Sequence, residues 1–158
     1  MKYKELNIGD CFTYDTTPSH IKTICIRGTS NARAYIIGVG SPEQSYLIGT
    51  ELKPLPPDTP IKFITELPLQ RNLYDLFDIN WDHQFTPLTE PFIKGDQFFF
   101  RVSGAPISEP RFITMLNDKL AIICNGPNAG EKMFINYNDL TQSSPLLNTE
   151  KILKLYND

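Results

Sequence analysis

Short runs in which apolar and polar positions alternate dominate this chain. From Cys11 to Asp15, Phe12 and Tyr14 fall on one face and Thr13 on the other, the period of a strand. Residues 21–27 (IKTICIR) and 32–39 (ARAYIIGV) are rich in β-branched positions and predict a second and a third strand. Gly9-Asp10, Thr16-Thr17-Pro18-Ser19 and Gly28-Thr29-Ser30-Asn31 supply the turn chemistry around them. Gly40-Ser41-Pro42-Glu43 then leads into Ser45-Tyr46-Leu47-Ile48, read as a further strand. Thr50-Glu51-Leu52 predicts a short helical turn, and Ile61-Lys62-Phe63-Ile64 a closing strand after a proline-rich crossing.

The pattern occurs twice. Leu6-Asn7-Ile8-Gly9-Asp10-Cys11-Phe12 shifted by 86 positions reads Phe92-Ile93-Lys94-Gly95-Asp96-Gln97-Phe98. The same shift carries Asn31 to Asn117, Ile36-Ile37 to Ile122-Ile123 and Gly40 to Gly126. A two-residue insertion in the second copy then sets Tyr46 on Phe134 and Glu51-Leu52 on Asp139-Leu140. Strands of the second copy are expected at residues 97–102, 111–116, 119–124 and 132–137, with Ile152-Leu153-Lys154-Leu155 closing it.

Five short strands at close spacing, with one helical turn before the last, predict a small barrel. The order resembles Src-homology-type (SH3-like) and Tudor-like barrels. The expected fold is therefore mainly all-β: two tandem, duplicated small barrels over residues 1–66 and 92–158. An acidic helical connector over 67–91 separates them. Units of this size sit near the lower limit for an independent core, so the pair is expected to pack together.

Within the connector, Leu69, Leu73, Leu76 and Phe77 fall on one helical face, and Pro68 suits a first turn. Phe98-Phe99-Phe100 is apolar on both faces, as in a strand covered on both sides. Leu73, Phe77, Ile79 and Trp81 are the expected cover, wedged between the barrels, with Asp75, Asp78 and Asp82 held at the surface as an acidic patch.

Hydrophobic content of 41% and aromatic content of 11% are ample for a folded core. Net charge is −3, but residues 57–92 hold two Lys/Arg against six Asp/Glu, while 1–56 hold six against five and 93–158 seven of each. Neither repeat has the basic surplus of a general nucleic-acid binder. Three irregularly spaced cysteines form no disulfide framework, and no run approaches the roughly 18 apolar residues of a membrane span. A soluble, cytoplasmic protein without a membrane partner is expected.

Candidate chemistry is sparse. Asp78-x-Asn80-x-Asp82 matches the start of a calcium loop, but His83 stands where the turn needs Gly and Thr89 where the bidentate Glu belongs. No metal or cofactor is expected. Cys11, Cys25 and Cys124 lie in predicted strands without a recognisable relation to His20 or His83, so core packing is the expectation for all three. Arg27 and Arg33 flank Thr29 and Ser30 in a predicted hairpin loop, an arrangement suited to a phosphate or carboxylate. The second copy has Ile113 and Lys119 at the arginine positions, so such a site belongs to the first barrel alone.

Trp81, the acidic trio Asp75, Asp78 and Asp82, and the strand tyrosines Tyr35 and Tyr46 are the candidate partner-binding residues. Together these features predict a non-enzymatic binding or regulatory protein whose partner is another protein. The alternative is a nucleotide or nucleic-acid binder acting through the Arg27–Arg33 loop, and a small-molecule enzyme ranks third. A homodimer is compatible with either binding reading.

Overall fold

A computed structural model describes residues 1–14, 23–29, 33–39, 42–65, 86–87, 92–102, 111–135 and 140–143. It is mainly β, built as two antiparallel sheets. In the first, β1 (Cys11–Thr13), β2 (Thr23–Arg27), β3 (Ala34–Val39) and β4 (Lys62–Thr65) lie in the order β3-β2-β1-β4. The second contains β5 (Thr86–Pro87), β6 (Gln97–Val102), β7 (Arg111–Met115), β8 (Leu120–Ile123), β9 (Lys132–Phe134) and β10 (Leu140–Ser143). Their order is β5-β10-β6-β7-β8-β9.

Both sheets begin from the same turn. The carboxylate of Asp10 accepts the N–H of Asn7 at 2.8 Å, and that of Asp96 accepts the N–H of Ile93 at 3.0 Å. Gly9 and Gly95 follow at φ +89° and +91°, a region that favours glycine. Gly9 N–H then donates to Arg27 O and Arg27 N–H to Asp10 O; Gly95 donates to Met115 O and Met115 to Asp96 O. The hydrogen-bond pattern matches bond for bond.

Strand pairing repeats as well. Cys11 faces Ile26 and Gln97 faces Thr114; Ile26 faces Tyr35 and Thr114 faces Ile122. Tyr35 pairs with Glu51, as Ile122 pairs with Lys132. Finally Thr13 lies opposite Lys62 in β4, while β10 lies against β6 with Ser143 opposite Phe99.

This register departs from a constant 86-residue offset. The pairs just given place Ile26 with Thr114, Tyr35 with Ile122 and Glu51 with Lys132, so the second copy is the shorter one after β8, not the longer. Tyr46 does not match Phe134. The expected strand through Tyr46 is a 3-10 helix over Pro42–Leu47. Proline is preset for such a helical turn, and Ile48 N–H closes onto Ser45 O at 3.1 Å. The expected helical turn at Thr50-Glu51-Leu52 is extended instead, with Leu52 N–H donating to Ala34 O. In the second sheet the closing strand beside β6 is Leu140–Ser143, while residues 152–155 lie outside the described residues, as does most of the connector (67–85 and 88–91).

Each sheet has its own core. Tyr3, Leu6, Phe12, Cys25, Ala34, Ile36 and Ile61 cluster in the first, with the rings of Tyr3 and Phe12 edge to face at 5.5 Å. Tyr3 reaches that position from a short 3-10 helix, Tyr3–Glu5, that alternation did not predict. Phe92, Ile113, Met115, Ala121, Ile123 and Ile135 form the second core. An aromatic buried as fully as Phe12 contributes roughly 2–3 kcal/mol by area.

The opposite face of each sheet is buried too. In the first it holds Cys11, Ile24, Ile26, Tyr35 and Ile37, and in the second Gln97, Phe112, Thr114, Ile122 and Cys124, none above 4% exposed. The halves meet along this seam, backbone against backbone. A Cβ on Gly130 would lie 2.6 Å from Arg27 O and 2.7 Å from Gly9 N; one on Gly49 would lie 2.5 Å from Met115 O and 3.0 Å from Gly95 N. Gly130 and Gly49 also adopt φ +88° and +87°.

Gly49→Ala and Gly130→Ala should therefore each destabilise the protein by about 1–3 kcal/mol from backbone strain alone, seen as a lower urea midpoint. Retention of the wild-type midpoint in both variants would show that the seam is not a close backbone contact.

Candidate functional site: a surface shared by the two halves

Among the described residues, hydrogen bonds cross the seam from Thr29, Lys94 and Gln97, and each depends on the turns that hold it. Thr29 N–H, at the end of the β2 hairpin, donates to Gly130 O at 3.2 Å. Lys94, one residue before Gly95, donates from Nζ to Tyr46 O at 3.1 Å. Gln97, the first residue of β6, donates from Nε2 to Ile37 O at 2.5 Å.

Gln97 heads a buried polar group. Its Nε2 also donates to Thr114 Oγ1 at 3.0 Å; Thr114 Oγ1 lies 3.3 Å from Cys124 Sγ, which donates to Ile122 O at 3.6 Å. With the amide nitrogen directed at two acceptors, Gln97 Oε1 is buried with no hydrogen-bond partner among the described residues. The matching positions of the first sheet are Cys11, Ile26 and Ile37, so the seam is polar on one side and largely apolar on the other. Burial pushes the thiols of Cys25 and Cys124 up to about 12, which keeps both protonated. All three cysteines are buried, as expected from the sequence.

At the rim, Arg33 Nη1 lies 3.1 Å from Glu51 Oε1, and Tyr35 donates its hydroxyl to the same oxygen at 3.2 Å. Lys132, from the other half, places Nζ 5.3 Å from the centre of the Tyr35 ring, within cation–π range. Partial burial raises the Glu51 carboxyl, but the bonds from Arg33 and Tyr35 and the charges of Arg33 and Lys132 outweigh it. The net effect holds Glu51 below the ordinary carboxylate range.

Of the sequence candidates, Tyr35 is 1% exposed and Tyr46 is 69% exposed, although both were read as strand tyrosines. Their roles diverge accordingly. Tyr35 is interior, its hydroxyl and ring engaged by Glu51 and Lys132. Arg27 donates from Nη1 to its neighbour Gly28 O at 2.6 Å, and Arg33 is paired with Glu51, so the two arginines do not converge on a common point through these contacts. Thr29 is exposed and lends its N–H to the seam. Ser30, Asp75, Asp78, Trp81 and Asp82 lie outside the described residues.

Beside Tyr46 the structure adds residues that pattern reading passed over. Ile93 is 70% exposed and is joined to Lys94, whose side chain is fixed on Tyr46 O, while a Cβ on Gly95 would lie 2.9 Å from Ile48 O. Two large, exposed apolar side chains thus come from turns locked together across the seam. A signal for Ile93 was present in the repeat: the first copy has Asn7 at that position, the ordinary choice for a solvated turn. Among the described residues no group of His, Cys, Asp and Glu could hold a metal, and no helix is long and apolar enough to cross a membrane. Comparison with known proteins finds no matching family model, no similar curated protein and no similar solved structure.

Glu51 gives a pH test. A carboxyl with a depressed folded pKa contributes stability that is fully present above its unfolded value and is lost as pH falls through the folded one. Glu51 should thus titrate below the ordinary Glu range by carboxyl NMR, and Arg33→Ala should move it upward. An ordinary, Arg33-independent titration would show that the rim cluster does not form.

Proposed function

We propose that this chain is a non-enzymatic binding or regulatory protein that recognises another protein, and that its sheets are a tandem pair of small barrels of Src-homology or Tudor-like type. The observation that carries the reading is the exposure of Tyr46 and Ile93, each more than two-thirds exposed, on turns joined through Lys94 and Gly95. Exposed aromatic and aliphatic side chains on ordered backbone lose little entropy when covered, which is what an interface anchor requires. Tyr35, being interior, drops out of the partner-facing set. The acidic segment with Asp75, Asp78, Asp82 and Trp81 belongs to the same proposal, because its excess of carboxylates suits a basic partner surface.

Binding of a nucleotide or nucleic acid through Arg27, Thr29, Ser30 and Arg33 is the less favoured reading, since Arg27 and Arg33 already have partners within the chain. The two readings separate by salt. Neutralising phosphates makes log K fall with log salt at a slope of about −0.9 per contact on duplex DNA.

Affinity capture from a native lysate, with protein and nucleic acid both identified, supplies the partner. Tyr46→Ala and Ile93→Ala should each weaken that complex by about tenfold or more, with no steep salt dependence. Loss of binding in Arg27→Ala and Arg33→Ala, with a steep salt slope and intact binding in the Tyr46 and Ile93 variants, would replace the first reading by the second.

A further inference from the structure

The seam differs in kind from the cores it joins. Each core cluster is almost wholly apolar, from Tyr3, Leu6 and Phe12 in the first sheet to Ile113, Met115 and Ile123 in the second. The seam instead buries Gln97 with an unmet Oε1, together with the Thr114 hydroxyl and the Cys124 thiol. A buried acceptor without a partner recovers its hydration when the surfaces part. At Gly49 and Gly130 the seam sets glycine against backbone, with the Lys94 and Ile8 side chains alongside. Within each sheet, by contrast, backbone ladders join β1, β2 and β3, with one register shift between Ile24 and Cys25, and join β6, β7 and β8.

We propose that the seam is a joint, and that the two sheets part along it as intact units before either of them unfolds. Local opening of this sort follows the weakest cooperative boundary in a structure, and here that boundary is the one containing Gln97. Tyr46 stands on one side of the joint and Ile93 on the other, so opening separates the two turns that carry them. That consequence rests on the protein-binding reading; the opening itself does not.

The thiols report on it directly. Cys124 lies on the seam face and Cys25 in the first core, both fully buried and both pushed up to about 12, so neither reacts in its native setting. The experiment labels the native, full-length protein with a disulfide reagent and follows each cysteine by mass spectrometry. Cys124 should react at least tenfold faster than Cys25, with Cys11, on the facing side of the seam, following Cys124. Lys132→Ala, which removes the cation from the Tyr35 ring, should speed Cys124 by about two- to fivefold and leave Cys25 unchanged. Equal rates for Cys124 and Cys25 in the wild-type protein, or faster reaction of Cys25, would overturn the joint whatever the variant does. A fast Cys124 combined with unaltered partner binding in Tyr46→Ala would keep the joint and remove the binding surface.

Discussion

Backbone-to-backbone contact along the seam is the constraint on which the rest of the structure depends. The Cα of Gly9 lies against Ala129 and that of Gly95 against Ile48; Gly130 lies against Arg27 O and Gly9 N, and Gly49 against Met115 O and Gly95 N. The hydrogen-bond pattern equates Gly9 with Gly95, Arg27 with Met115, Ile48 with Ala129 and Gly49 with Gly130. Each contact therefore has a counterpart with the two halves exchanged, the arrangement of an isologous interface. A self-complementary surface of this kind forms when two units of like backbone meet through the same patch. The turns at Asp10 and Asp96 serve both ends of this scheme, since the same loop starts a strand and presents its glycine to the other half.

On this near-symmetric frame the side chains have diverged. Gln97, Thr114 and Cys124 stand where the first sheet has Cys11, Ile26 and Ile37, and Ile122 stands where it has Tyr35. Glu51 and Lys132 occupy matching positions with opposite charge, and both act on Tyr35. With identical halves, like charges would occupy those two positions; the divergence replaces repulsion with attraction. Ile93 in place of Asn7 is the same kind of change on the outer surface, and it exposes an apolar side chain there.

The strands were legible because alternation and β-branching report on pleated backbone directly, and β6 was read at Gln97–Val102 to the residue. So was the first turn of each copy, where an Asp must cap the loop and a glycine must take positive φ. The later register was not legible. Gly40 and Gly126 align at a constant offset, but the hydrogen bonds equate Gly126 with Ser45, since Ala129 N–H closes onto Gly126 O as Ile48 N–H closes onto Ser45 O. A match of residue types is weak evidence where loops differ in length, because turn geometry can be met by Ser after a proline as well as by Gly. The Tyr46 segment failed for a related reason: Ser-Tyr-Leu-Ile has strand-like composition, and its 3-10 form is set by Pro42 upstream and by Gly49 downstream.

The candidate surface was harder to read than the fold, and the two tyrosines show why. Alternation gives a side chain's face, but it does not say what covers that face. In a sheet standing alone the seam face of β3 would be open to solvent, and Tyr35 a natural surface aromatic. The second sheet lies over that face, so Tyr35 is interior and its hydroxyl needs Glu51. Tyr46 is exposed because the short helix that carries it lies outside the ladder, fixed at its carbonyl by a lysine from the other half. Burial of the seam face thus takes Tyr35 out of solvent, while the turns that join the halves keep Tyr46 and Ile93 in it. Those turns are the places where a change of one residue, such as Asn7 to its counterpart Ile93, alters the surface without disturbing either core.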